Sequence, residues 1–164
     1  MEIEVIKSHL RDRPYMSGVE RDKLRIKQTG EVFTPQWLAE QAVAKIEKYD
    51  PEAFSDPDRT FIDNASGDGN LLAEVLIRKL ENGIDFETAI SKIFGCDLMI
   101  ENVNLCRQRL LCRSTDPKHI KIVETNIVCS DALRYNYKFI KGEHPYDDEA
   151  REMKKQEIFS GLFE

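Results

Sequence analysis

The segment FIDNASGDGN, Phe61 to Asn70, constrains this chain most: an apolar run ends in Asp63, breaks into a glycine-bearing turn and passes straight into the helical pattern LLAEVLIRKLENG. That order specifies a strand, a tight loop and a helix start. Gly67 and Gly69 lack the Cβ atoms that would hold a ligand away from the backbone, and the N–H groups of the helix's first turn carry partial positive charge. A nucleotide-like cofactor is the ligand such a junction accommodates, although two glycines at a strand-to-helix turn also serve backbone geometry alone.

Two more segments repeat the theme. IFGCDL, Ile93 to Leu98, is a second short apolar strand ending in an acid, Asp97, and KIVETNIVCS leads to a third at Asp131. In a doubly wound sheet, ligands lie beyond the carboxyl ends of the strands, where an acid suits the hydroxyls of a ribose. Upstream of all three stands GEVFTP, Gly30 to Pro35.

The succession of loop, acid and acid resembles the S-adenosylmethionine-dependent methyltransferase fold, and GEVFTP narrows the resemblance to the adenine-N6 DNA methyltransferases of restriction-modification systems and phages. In that family a Gly-x-x-[Phe/Tyr]-Thr-Pro segment closes over the methionine part of the cofactor, and Gly30, Phe33, Thr34 and Pro35 match it. Asp63, Gly67 and Gly69 match the family's Asp-Pro-x-x-Gly-x-Gly loop, while Asn64 and Asp68 depart from it. The resemblance covers roughly residues 24 to 135 and implies an α/β fold, a Rossmann-like class I methyltransferase three-layer sandwich with a truncated sheet.

It also implies roles. Asp63 is expected near the methionine amino group, with Ala65, Gly67, Gly69, Asn70 and Leu71 along the methionine and ribose, and Phe33, Thr34 and Pro35 closing over them. Asp97 would take the ribose hydroxyls, Asp131 the exocyclic amine of the cofactor's adenine, and Leu98 and Ala132 its faces. Read without the family, each Asp after a strand is a helix cap or turn former.

The family's catalytic tetrapeptide, [Asn/Asp]-Pro-Pro-[Tyr/Phe], does not occur here. The nearest segment is Glu143-His144-Pro145-Tyr146, in which His144 would replace the amine-binding residue, with Pro145 and Tyr146 in the last two positions. A neutral imidazole offers one acceptor nitrogen, fewer than a carboxylate or amide oxygen, which weakens the case for ordinary transfer to a flipped base. EHPYDDE read bottom-up is equally a solvated turn.

At 164 residues the chain has room for one domain with a sizeable core, but not for a complete seven-stranded methyltransferase with a target-recognition domain. Four strands are expected, Arg59 to Asp63, Lys92 to Cys96, His119 to Val128 and Tyr137 to Lys141. An open sheet edge then needs cover from a second copy, a partner chain or the terminal helix, unless the chain is a fragment. The organisation reads as a basic helical segment over 1–30, a cofactor-binding domain over 31–146 and a polar helix or tail over 147–164.

Arg11, Arg13, Arg21, Lys23, Arg25 and Lys27 make the first segment basic, suiting a solvated helix surface or contact with phosphates. The next helix repeats apolar residues through Ala39, Val43 and Ile46, and Trp37 is expected in the core or the pocket wall. A net charge of −6 and a pI near 5.2 do not suit a chain that holds a DNA duplex unaided. Cys96, Cys106, Cys112 and Cys129 form no C-x-x-C pair and read as reduced thiols, and with His9, His119 and His144 they give no metal-ligand spacing. With no signal peptide and no membrane-length apolar run, a cytoplasmic protein, or a phage protein in a host cytoplasm, is expected.

Together these readings describe an S-adenosylmethionine-dependent DNA adenine-N6 methyltransferase whose catalytic loop is degenerate, acting on adenine-containing duplex DNA as a homodimer or with a partner subunit. The alternative is a non-catalytic cofactor-binding or interaction module. A dinucleotide-binding domain fits less well, since the loop lacks G-x-G-x-x-G and the Phe-Thr-Pro segment would have no role.

Overall fold

The computed structural model describes residues 3–12 and 34–139. Its elements run α1 (Ile3–Asp12), α2 (Gln36–Tyr49), β1 (Phe61–Asp63), α3 (Asn70–Glu81), α4 (Phe86–Ser91), β2 (Ile93–Asp97), α5 (Ile100–Leu111), α6 (Pro117–Asn126) and β3 (Ile127–Cys129). The strands form one parallel sheet in the order β1-β2-β3, with Phe61 opposite Ile93 and Gly95 opposite Ile127. Parallel neighbours require crossovers, and each contains two helices, α3 and α4 before β2, α5 and α6 before β3. This is an α/β, Rossmann-like arrangement with a short sheet.

The helix α3 is the centre of the molecule. Leu72, Ala73, Val75, Leu76 and Ile77 are all buried, so it is covered on nearly every side, with α1, α2, α5 and the sheet packed around it. Each fully buried Leu or Ile contributes roughly 1.5–3 kcal/mol, which lets the helix also carry Glu74 and Lys79 inside. Both are compensated: Arg11 of α1 reaches Glu74 through two hydrogen bonds of 3.2 and 3.1 Å, and the Lys79 ammonium donates to the Asp56 carbonyl beneath the Phe61 ring. Arg11, counted above with the basic run, is thus committed to Glu74 and, at 3.7 Å, to Glu40.

The two faces of the sheet differ. Ile93, Ile127 and Cys129 join the large helical core, while Cys96 and Val128 belong to a small cluster with Tyr135, flanked by Ala132 and Phe139. Among the described residues that second face is covered by an aromatic segment, with Phe139 stacked at a tilt on Phe94, centroids 4.8 Å apart.

Three expectations need correction. His119 to Val128 is not one strand: Asp116 caps a helix by accepting from the Lys118 N–H, Pro117 fills its first turn, and only Ile127–Cys129 is extended. The apolar alternation of Ile120, Lys121 and Ile122 is overruled by that start signal. The strand expected over Tyr137 to Lys141 is not formed in its described part, because both Tyr137 and Phe139 hold positive φ, 56° and 48°, which no ladder tolerates, and residues 140–141 lie outside the described residues. Trp37 is 60% exposed on α2, two residues away from the buried Ala39 and so on another face of the helix. The first two strands are present with small shifts, β1 beginning at Phe61 and β2 ending at Asp97.

Candidate functional site

The loop between β1 and α3 is drawn against the end of β2 by its own backbone. The Ser66 N–H donates to the Cys96 carbonyl at 3.0 Å, and the Gly67 N–H donates to the Asp97 carboxylate at 2.9 Å. Asp97 also accepts from the Met99 N–H at 2.8 Å and the Asn102 amide at 3.2 Å, so the strand-end acid organises two loops at once. The loop then closes on itself, Gly69 N–H to Ser66 carbonyl at 2.8 Å, and enters α3 through the Ala73 N–H donating to the Gly69 carbonyl.

Glycine is required at Gly69 on two counts. Its φ is +79°, and a Cβ there would lie 2.5 Å from the Cys106 Sγ, an atom buried beneath the loop. Burial pushes the Cys106 thiol up to about 12, so it packs as an apolar group and supplies no thiolate. Gly67, at φ +52°, gives the loop its second left-handed turn.

This geometry leaves a cavity of about 230 Å³ lined by Thr34, Asp63, Ala65, Ser66, Gly67, Asp68, Asn70 and Leu71. Asp63 is the group with chemistry. Its carboxylate accepts one backbone hydrogen bond, from the Ala65 N–H at 3.0 Å, and among the described residues no cation pairs with it. Burial raises its pKa above the ordinary carboxylate value, opposed only by that hydrogen bond. A carboxylate desolvated and short of positive partners favours a ligand that brings an ammonium group. A second cavity of about 220 Å³ shares Asp63 and Leu71 and is lined by Ala42, Val43, Ile46 and Ile62.

Of the expected binding residues, the cavity therefore gathers Thr34, Asp63, Ala65, Gly67, Asn70 and Leu71. Gly69 and Asp97 support it from behind. Leu98 is 48% exposed beyond β2, and its carbonyl accepts from the Cys129 thiol. Asp131 forms a turn, accepting from the Leu133 N–H at 2.9 Å with the Arg134 guanidinium 3.5 Å away, and Ala132 packs with the Tyr135 cluster. Leu98, Asp131 and Ala132 thus stand at the neighbouring strand ends, outside the cavity wall. Pro35 begins α2 as its N-terminal flank. Phe33 and the catalytic set His144, Pro145 and Tyr146 lie outside the described residues.

Sequence reasoning passed over Ser66, Asp68 and, above all, Arg109. Arg109 lies wholly buried on α5, with its guanidinium hydrogen-bonded to Asn70 at 2.7 Å and 3.7 Å from Asp68. No local pattern marks an arginine in RQRLL as one that reaches the loop, because only the packing of α5 on α3 brings them together.

A parallel sheet whose first strand ends in an acid and feeds a glycine-turned loop into a helix defines a Rossmann-like α/β domain. The family model for N-6 DNA methylases matches residues 22–160, most of the chain, and the protein belongs to that family. No curated protein and no solved structure matches it. Among the described residues no helix is long and apolar enough to cross a membrane.

Proposed function

We propose that the cavity above the β1–α3 loop binds S-adenosylmethionine and that the chain takes part in methyl transfer to adenine N6 in DNA. The observation that carries this reading is Asp63, a desolvated carboxylate in the wall of a glycine-bearing cavity with no cation paired to it among the described residues, suited to the methionine ammonium. The cofactor would supply the methyl group from its sulfonium centre. The chain's own residues would hold it: Asp63 at the amino group, the Gly67 to Leu71 backbone along the chain of the methionine, Thr34 opposite. Asp97, Leu98, Asp131 and Ala132, standing at the ends of β2 and β3, are the residues proposed for the ribose and adenine, with Asp97 adding that role to its hold on Gly67. Catalysis would come from placing the target amine in line with the methyl group.

The described residues favour a shared site. Positive φ at Tyr137 and Phe139 breaks the expected strand over its described residues, while Glu143-His144-Pro145-Tyr146 lies outside them. We therefore propose that a second polypeptide, a further copy of this chain or a different subunit, covers the open edge of β1 and completes the target-amine side, with His144, Pro145 and Tyr146 as this chain's own contribution. The net charge of −6 supports the same division, since duplex phosphates call for positive surface.

Calorimetric titration of the purified chain with S-adenosylmethionine, followed in the same sample by radiolabelled transfer to adenine-containing duplex DNA, tests both parts. Binding is expected, with Asp97→Ala weakening it at least tenfold. Absence of binding overturns the cofactor reading. Binding accompanied by transfer from the purified chain overturns the need for a different subunit, and transfer by a sample that is monomeric overturns the shared site altogether.

A further inference from the structure

We infer that Arg109 is the positioning residue of the cofactor cavity, fixing three of its lining residues without entering it. The inference rests on the cofactor reading above. The Arg109 guanidinium, with no exposed surface, donates from Nε and Nη2 to the Leu10 carbonyl at 3.1 and 2.7 Å and from Nη2 to Asn70 Oδ1 at 2.7 Å, and its Nη1 stands 3.7 Å from the Asp68 carboxylate. Asp68 and Asn70 line the cavity.

The third residue follows from hydrogen-bond polarity. A guanidinium has donors only, so the Asn70 amide must turn its oxygen towards Arg109 and its NH₂ group away. That NH₂ donates to the Thr34 carbonyl, across the cavity. Arg109 thus sets which way Asn70 points, and Asn70 ties the Thr-Pro segment to the glycine loop. Remove the guanidinium and the amide is free to flip, presenting its oxygen to the Thr34 carbonyl, which repels it.

The far end of the same relay is α1. Leu10 is in its last turn, where helix carbonyls lack intrahelical partners, and Arg109 fills that need from the core. Helix α1 gives no residue to the cavity, yet it holds the guanidinium whose other end orients the cavity wall. Lysine cannot substitute, because one ammonium does not span three acceptors in a planar fork.

The test compares the full chain with Arg109→Lys, Asn70→Ala and the double variant, measuring S-adenosylmethionine affinity by calorimetry and the melting midpoint of each. Arg109→Lys and Asn70→Ala are each expected to weaken binding about tenfold or more, and the double variant is expected to bind no more weakly than the poorer single, because both break one relay. A merely structural arginine would instead lower the melting midpoint and leave affinity unchanged, or give losses that multiply; either result overturns the inference. Should Arg109→Lys not fold, Arg109→Gln combined with Asp68→Asn removes both buried charges together and avoids leaving one alone. Native affinity in that folded pair overturns the inference as well. Failure of the unsubstituted chain to bind overturns the cofactor reading and this inference with it, whereas equal binding by every variant overturns this inference alone.

Discussion

Asp63 holds stability and binding in opposition. Burial raises its pKa, so within the window between the ordinary carboxylate value and the raised one the folded chain binds more protons than the unfolded chain. Stability contributed by this group is therefore present at low pH and lost as pH rises through that window, and at neutral pH the ionised carboxylate is a cost. Asp63→Asn, whose oxygen can still accept from the Ala65 N–H, is expected to raise the melting midpoint at pH 7 by about 2–4 °C, the shift that goes with roughly 1 kcal/mol in a domain of this size. The same change is expected to weaken S-adenosylmethionine binding at least tenfold, and the pair of measurements fails together if Asp63 is an ordinary surface acid. Legibility at this scale follows locality. Asp63, Gly67 and Asn70 were readable because strand, turn and helix start are consecutive, while Arg109 reaches the loop across 39 positions, a distance that no local pattern spans. Trp37 misled because size argues for burial, but helical phase decides it.

At the scale of elements, start signals proved stronger than apolar alternation. Asp85 opens α4 and Asp116 opens α6, each accepting a backbone N–H from the helix's first turn, Thr88 at 3.0 Å and Lys118 at 2.8 Å. Asp116-Pro117 is a helix-start signal that would have recovered α6; the β-branched run that follows hid it. Asp85 offers the cleaner measurement. Its hydrogen bonds with Thr88 hold its pKa below the ordinary value of 3.8, so its contribution is present above that value and lost as pH falls through the lowered one. Asp85→Ala is expected to destabilise the fold by about 1 kcal/mol at pH 7, a difference that denaturant titration should see shrink as pH falls through the lowered value, with Asp85→Asn close to the unsubstituted chain. A gap that persists undiminished in acid would mean the cap is not the source.

At the scale of the molecule, the sheet order among the described residues leaves β1 at an edge. The Phe61 N–H bonds to the Lys92 carbonyl, and because parallel ladders alternate, Ile62 turns its N–H and carbonyl to the other side, where no strand among the described residues pairs with it. Beside it α2 presents Leu38, Ala42 and Ile46 at intervals of four, one face of the helix, with Ala42 and Ile46 bordering the second cavity together with Ile62. Unpaired backbone next to an apolar stripe is the surface that a second polypeptide would cover. If the cover is another copy of this chain, sedimentation is expected to give a mass above 19.0 kDa at micromolar concentration. Ile46→Glu would then place a carboxylate in the contact and raise the dissociation constant tenfold or more, the equivalent of about 1.4 kcal/mol. Ile46 borders the second cavity and not the first, so the same substitution is expected to leave S-adenosylmethionine affinity within about twofold, separating the loss of a partner from the loss of the site. A chain that sediments as a monomer while still binding the cofactor would exclude the second copy and direct the search to a different subunit that pairs with β1.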